Sequence, residues 1–274
     1  MANQYQTLTS ADGLALYTKT WQPAGTPKAN FIIVHGLGEH SGRYEHMASK
    51  LVEAGIAVHA ADLRGHGQSE GPRGHTPGMA AYVDDIKLLI DSLSPEIPVF
   101  LYGHSLGGLI IIFYALEYQD QLNGLVVSAP AIQRHFEVPL IKLILGRIMS
   151  SLWPTFTQET GLNPDDLTRL EEVNQAYRDD PLVHSKATAR LFTTATDGGP
   201  EALLHAGEIH IPTAVIQGGH DLLVVAEASH EFFKRLGSED KTWIFIPDAY
   251  HETHNEADGD KVIQQIADWV LAHL

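Results

Sequence analysis

The chain contains no cysteine. A disulfide, a thiolate nucleophile and a cysteine-ligated metal are therefore excluded from its structure and chemistry. Basic residues are few: 18 Lys and Arg stand against 34 Asp and Glu in 274 residues, a formal charge of −16. That balance argues against a nucleic acid partner, because phosphate binding rests on Lys and Arg. It also argues against non-specific docking on anionic lipid. Long apolar runs are lacking too. The longest, residues 109–116, is far short of the roughly 20 residues needed to span a bilayer. Residues 1–16 have neither a basic stretch nor an apolar core, so a signal peptide is not expected and the chain reads as cytoplasmic. What the chain has in excess is histidine, 16 in all. Metal ligation and scattered structural or catalytic use compete to explain it.

The ordering of the chain is that of an α/β protein. Residues 6–9 and 15–21 flank an Asp12-Gly13 turn and predict a hairpin. Short apolar runs, often β-branched, follow at 31–34, 56–60, 99–102, 125–127, 213–216 and 242–246, as buried parallel strands require. Helical patterns lie between them. In 81–93, Val83, Ile86, Leu89, Ile90 and Leu93 share a face; in 261–274, Val262, Ile266, Trp269 and Val270 do. The alternation predicts a mostly parallel central sheet flanked by helices. Residues 131–203 break the rhythm and show no convincing strand. They contain an apolar stretch at 138–153 and a helix predicted over 163–177, opening Asn-Pro-Asp-Asp. The expected organisation is a core of 1–130 and 204–274 with a helical cap inserted at 131–203.

The chemistry is concentrated where the run at 99–102 ends. Gly103-His104-Ser105-Leu106-Gly107 is a G-x-S-x-G element placed between a strand and a helix. Such a turn exposes a serine hydroxyl at the strand's carboxyl end, and its small residues relieve crowding. A serine hydroxyl needs a base. In this arrangement the acid and then the histidine follow the serine along the chain. After the last strand come His251 and, as its competitor, His254; after the preceding strand comes Asp221. Asp248 is nearer His251 in sequence, but a separation so short on one loop suits the geometry less well than Asp221 does. Oxyanion donors are expected from the backbone N–H groups of Leu106 and of Leu37 in the loop His35-Gly36-Leu37-Gly38.

Three blocks extend this reading: His35-Gly36-Leu37-Gly38-Glu39-His40-Ser41-Gly42-Arg43-Tyr44, Asp62-Leu63-Arg64-Gly65-His66-Gly67-Gln68-Ser69-Glu70-Gly71, and Gly103–Gly108. Together they resemble the monoacylglycerol lipases and related lysophospholipases of the α/β-hydrolase superfamily, over most of the chain outside 131–203. The resemblance implies the α/β-hydrolase fold with a cap, and a triad of Ser105, Asp221 and His251. It implies oxyanion donors at Leu37 and Leu106. A polar pocket for a glycerol head is implied at Glu39, Arg43, His254 and, in the cap, Tyr177. Glu39 and Arg43 are also spaced to pair with each other, and His254 also reads as a surface residue. The resemblance implies a lipid ester substrate, a monoacylglycerol, and no cofactor.

In the cap, Ile141, Ile144, Leu145, Ile148 and Leu152 form one helical stripe, with Lys142 and Arg147 as its only charges. Two roles are open: packing on the core, or contact with a membrane or micelle as a lid. The histidines do not favour a metal. His251-Glu252-Thr253-His254 is one residue short of H-E-x-x-H. The alternatives to a monoacylglycerol hydrolase are a lysophospholipase, a general carboxylesterase and, in a different class, a non-catalytic ligand-binding module on the same fold.

Overall fold

The computed structural model describes residues 2–135 and 139–274. Val138, where the predicted cap stretch begins, lies outside the described residues. The core strands are β1 (Ala2–Thr9), β2 (Ala15–Gln22), β3 (Asn30–Val34), β4 (Ala57–Ala61), β5 (Val99–His104) and β6 (Gly124–Ser128). The core helices up to β6 are α1 (Glu45–Glu53), α2 (Met79–Asp91) and α3 (Leu106–Tyr118). Then follow α4 (Leu140–Leu152), β7 (Thr157–Glu159), α5 (Glu171–Asp179), β8 (Lys186–Thr188) and α6 (Ala189–His205). The chain closes with β9 (Thr213–Gly218), α7 (Ala226–Arg235), β10 (Lys241–Ile246) and α8 (Gly259–Ala272).

Eight strands form one sheet in the order β1-β2-β4-β3-β5-β6-β9-β10. The β1–β2 hairpin and the β2–β4 pairing are antiparallel, and the other pairings are parallel. The turn at Asp12-Gly13 works because Gly13 takes φ +89°. The central strands are buried on both faces, which is why they read as unbroken apolar runs. Their alternation divides two cores. Ile32, Leu101, Leu125 and Val127 face α2, α3, α6 and α7, whereas Phe31, Ile33, Phe100, Tyr102 and Val126 face α1 and α8.

Between β6 and β9 the chain leaves the sheet. There α6 packs on α3, with Leu191 and Ala202 in the core, and α4 rests on α6. A buried hydrogen bond of 2.9 Å between Ser150 and Thr193 joins those two helices, and Gly146 lies against the Phe192 ring. Two expectations for this segment need correction. It does contain strands: β7 and β8 pair antiparallel over three residues each, too short to leave an alternating pattern. The helix predicted over 163–177 is also broken. A 3₁₀ turn at Pro164–Asp166, capped by Asn163, is separated from α5. Thr168 and Arg169 are drawn out of helical register by bonds to the loop before α8: Thr168 Oγ1 donates to the Asn255 carbonyl and Arg169 Nε to Glu256. Among the described residues no helix is long and apolar enough to cross a membrane.

The join between β5, α3 and β3 is tight. A Cβ on Gly107 would sit 2.0 Å from the Val34 carbonyl oxygen, so Gly107→Ala forces backbone apart. A loss of about 3 kcal/mol or more is expected. In Gly207→Ala the new Cβ meets nothing nearer than 3.6 Å, and stability should stay within about 0.5 kcal/mol. Thermal unfolding of both variants checks the contrast.

Candidate active site

Ser105 stands between β5 and α3 with φ 53° and ψ −115°. A non-glycine residue in that region is strained by roughly 1–3 kcal/mol and persists only where its surroundings over-determine it. Here they do. Its N–H donates to the Ser128 carbonyl at 3.0 Å, and its own carbonyl accepts from the N–H groups of Leu109 at 3.1 Å and Ala131 at 2.9 Å. Gly103 and Gly107 supply the room: a Cβ on Gly103 would lie 2.3 Å from the Gly107 carbonyl oxygen. Leu106 is the first residue of α3, so its N–H has no acceptor within the helix. Gly36 passes close by, where an added Cβ would sit 3.3 Å from Ser105 Cβ. Leu37 follows it, and Ser105, Leu106 and Leu37 all line one cavity of about 600 Å³.

His251 and Asp221 meet because β9 and β10 are neighbouring parallel strands whose carboxyl-end loops are pressed together. A Cβ on Gly218 would be 2.1 Å from the Tyr250 carbonyl oxygen, and one on Gly219 2.3 Å from that of Pro247. His251 Nδ1 lies 2.8 Å from Asp221 Oδ2, and both side chains are buried. The carboxylate can only accept, so Nδ1 carries the proton and Nε2 is left as the basic nitrogen. Asp221 also accepts from Gln217 and from the N–H groups of Leu223 and Val224. Burial pushes the Asp221 carboxyl up, but the His251 imidazole and these donors hold it below the usual range. Burial likewise disfavours the charged form of His251. The Asp221 carboxylate outweighs it, helped by Glu252 and Glu39, and raises His251 above its ordinary value. Asp248 is exposed. His251 lines the same cavity as Ser105.

At one end the cavity is polar. Arg43 donates from Nη1 and Nη2 to the two oxygens of Glu252 at 2.6 and 2.8 Å, and from Nη1 to Glu39 at 2.8 Å. Its guanidinium lies 4.7 Å from the centroid of the Tyr177 ring. Glu39 further accepts from the Gly36 N–H and from the Tyr44 hydroxyl. The Arg43 guanidinium holds the Glu252 carboxyl far below its usual range although burial opposes this. So Glu39 and Arg43 do pair with each other, and both also line the cavity beside Tyr177 and Glu252. Elsewhere the wall is largely apolar, with Leu145, Met149, Leu191, Phe192 and Val224 among its residues.

His254 is not where the head-group expectation put it. It is buried and absent from the cavity wall, stacked on the Tyr44 ring at 5.1 Å with the His104 ring 5.4 Å away. The 3₁₀ turn Thr253–Asn255 carries it inward from His251. Burial pushes its imidazole down, against the pull of Glu252 and Glu39. The residue that sequence reasoning passed over is Glu252, seen only as part of a failed metal motif. Its adjacency to His251 was the available signal. Part of the histidine excess is structural: His35, His59, His66 and His104 are buried in the core. In His35, for example, Nε2 accepts the Leu63 N–H at 2.9 Å while Nδ1 faces the Gly36 carbonyl at 2.8 Å. That shapes the loop carrying Leu37.

Comparison with known proteins places this architecture among ester hydrolases. A family model described as serine aminopeptidase, S33, matches residues 25–258. The chain is 31% identical over 266 residues to a monoacylglycerol lipase of Mycolicibacterium smegmatis, covering 96% of this chain and 95% of the relative. It is 33% identical over 272 residues to an uncharacterized abhydrolase domain-containing protein of Dictyostelium discoideum. That match takes in 98% of this chain but only 29% of the longer relative. The crystal structure of a monoacylglycerol lipase from Paleococcus ferrophilus superposes with a TM-score of 0.89 at 33% identity, covering 94% of this chain and 99% of that one.

The electrostatics of the imidazole can be checked directly. With Asp221 present, His251 is raised above the ordinary imidazole value. In Asp221→Asn the main raising charge is gone and burial should carry the imidazole downward. NMR titration of the His251 ring is expected to show a lower pKa in the variant than in the wild type. An unchanged or higher value contradicts the assignment of Asp221 as its partner.

Proposed function

From the premise that the chain belongs to the monoacylglycerol lipase family of α/β-hydrolases and is a carboxylic ester hydrolase, we propose that it cleaves monoacylglycerols to fatty acid and glycerol. The triad is Ser105, His251 and Asp221, and the reaction passes through an acyl-enzyme. The observation that carries this reading is the mixed wall of one cavity. A largely apolar lining suits an acyl chain, the Glu39–Arg43–Tyr177–Glu252 group suits a polyol, and Ser105 and His251 line the same cavity.

His251 Nε2 takes the Ser105 proton as Oγ attacks the ester carbonyl. The N–H groups of Leu37 and Leu106 stabilise the oxyanion. Collapse breaks the bond to the glyceryl oxygen, which receives the proton from His251 and leaves as glycerol. Water then attacks the acyl carbon, giving its proton to His251, and the fatty acid departs as Ser105 is re-protonated. Asp221 keeps the imidazole in the tautomer that both halves require. The leaving alcohol contacts Glu39, Arg43 and Tyr177.

The cap supports contact with lipid. While its inner side rests on α6, α4 exposes Leu140 (72%), Ile141 (63%), Ile144 (47%), Ile148 (47%) and Leu152 (80%), followed by Trp153 (57%). Its other side, at Lys142, Gly146 and Met149, lines the cavity, and Leu145, itself 51% exposed, borders it too. One helix therefore borders both the acyl path and an apolar outer surface. This is the arrangement expected of a lid at a membrane or micelle interface.

Four outcomes follow. On a panel of mono-, di- and triacylglycerols, lysophospholipids and short soluble esters, the wild type should favour monoacylglycerols, and Ser105→Ala should be inert. Asp221→Asn should lower kcat by on the order of a thousandfold or more, and Asp248→Asn should have little effect; the reverse order overturns the acid assignment. Because the base is active only when unprotonated, kcat/KM should rise with pH through an acid limb lying above 6.5, the ordinary value that His251 exceeds. In the cap, replacing Ile144, Ile148 and Leu152 with Ser should slow hydrolysis of emulsified long-chain esters by roughly tenfold while sparing soluble short esters. Unchanged rates on the emulsion, with folding intact, remove the lid from the account.

A further inference from the structure

Among the described residues three cations line the cavity, Arg43, Arg134 and Lys142, and the one grouped with Glu39, Tyr177 and Glu252 is Arg43, whose charge is already spent. Both terminal nitrogens donate to Glu252, one of them also to Glu39, and one face of the guanidinium lies against Tyr177. The three groups are almost fully buried: side-chain exposure is 9% for Arg43, 4% for Glu39 and 2% for Glu252. Two carboxylates against one guanidinium leave a surplus negative charge beside the site of reaction. They also leave acceptor capacity. A carboxylate offers about four lone-pair sites. Glu39 uses three, for Gly36, Arg43 and Tyr44, and Glu252 uses three, for the two Arg43 nitrogens and Asn255. Each can accept about one more hydroxyl proton, and a monoacylglycerol has two free hydroxyl groups.

Resting on the proposed acyl-ester reading, we infer that Glu252, together with Glu39, is a specificity determinant. It selects esters of a neutral polyol and rejects esters whose alcohol carries a phosphate, by occupying the guanidinium that would otherwise receive the anion. A phosphomonoester bears a charge of about −1.5 to −2 at neutral pH. At this end of the cavity it meets acceptors and a net negative charge in a site screened from water. A diol meets acceptors it can satisfy. Glu252 follows His251 directly in the chain, so the leaving-group end and the base are set by one loop. Its main-chain N–H is held at 2.8 Å by the Leu167 carbonyl of the segment between β6 and β9.

The test compares 1-oleoylglycerol, 1-oleoylglycerol 3-phosphate and p-nitrophenyl butyrate, the two lipids presented in the same non-ionic detergent micelles. In the wild type, kcat/KM for the phosphate ester should be about 100-fold or more below that for the neutral lipid. The gap should persist at about 0.5 M salt, where the Debye length is about 4 Å. Persistence separates the buried carboxylates from the diffuse repulsion of an acidic protein. In Glu252→Gln, of nearly equal shape, the ratio between the two lipids should narrow by about tenfold, whatever happens to each rate alone. Wild-type rates within about threefold of one another, a gap abolished by salt, or a ratio unchanged in folded Glu252→Gln each overturn the inference. Should Glu252→Gln not fold, the wild-type comparison and its salt dependence still decide. Wild-type hydrolysis of p-nitrophenyl butyrate without that of 1-oleoylglycerol overturns the monoacylglycerol reading itself, and the inference with it.

Discussion

Everything in the site is referred to one backbone constraint, the left-handed conformation of Ser105. A residue at φ 53° does not stay there unaided. It stays because β5 must end, α3 must begin, and three backbone hydrogen bonds to β6, α3 and the segment after β6 leave no alternative. The glycines around it are there for contact: Gly107 lets α3 lie against the end of β3, and Gly36 lets the next loop pass the serine side chain. The same close approach brings Leu37 and Leu106 to the cavity that Ser105 lines. Packing of the sheet and orientation of the proposed nucleophile are thus one structural fact.

Electrostatics provides the second layer. A buried ion pair is weak evidence for stability, because desolvation offsets much of the Coulomb gain. The Glu39–Arg43–Glu252 group is better understood as a means of holding polar groups in fixed positions at the end of an apolar cavity. It also biases His251, whose imidazole is raised by Asp221 first and by Glu252 and Glu39 after it. The segment between β6 and β9 is tied to the same loops. The His184 N–H donates to the Gly38 carbonyl at 2.9 Å, and His40 lies 2.9 Å from Asp180. The Glu39–Arg43–Glu252 group, His251 and the segment between β6 and β9 are therefore mechanically connected, while α4 keeps an exposed apolar face.

The parallel sheet was legible because its strands are buried on both faces and therefore read as apolar runs. The serine turn was legible because close packing demands small residues at fixed positions. The acid and base candidates followed from strand order, since loops at the same end of neighbouring strands must meet. Three-residue strands such as β7 and β8 carry no periodicity, and the break before α5 comes from Thr168 and Arg169 bonding to residues almost 90 positions away. The inward turn of His254 depends on a local 3₁₀ geometry that its spacing from His251 does not reveal. Glu252 was visible as a letter but not as a partner, because its meaning lies in Arg43, 209 residues distant in the chain.

The central claim is that Ser105 is the nucleophile of this ester hydrolase, activated by His251. The most direct measurement is peptide-resolved mass spectrometry of the folded protein after brief exposure to a fluorophosphonate. One phosphonyl adduct per chain is expected, on the peptide containing Ser105, with labelling that weakens as pH falls through the His251 titration. Absence of an adduct on Ser105, or labelling that persists in Ser105→Ala at the wild-type rate, would contradict the account.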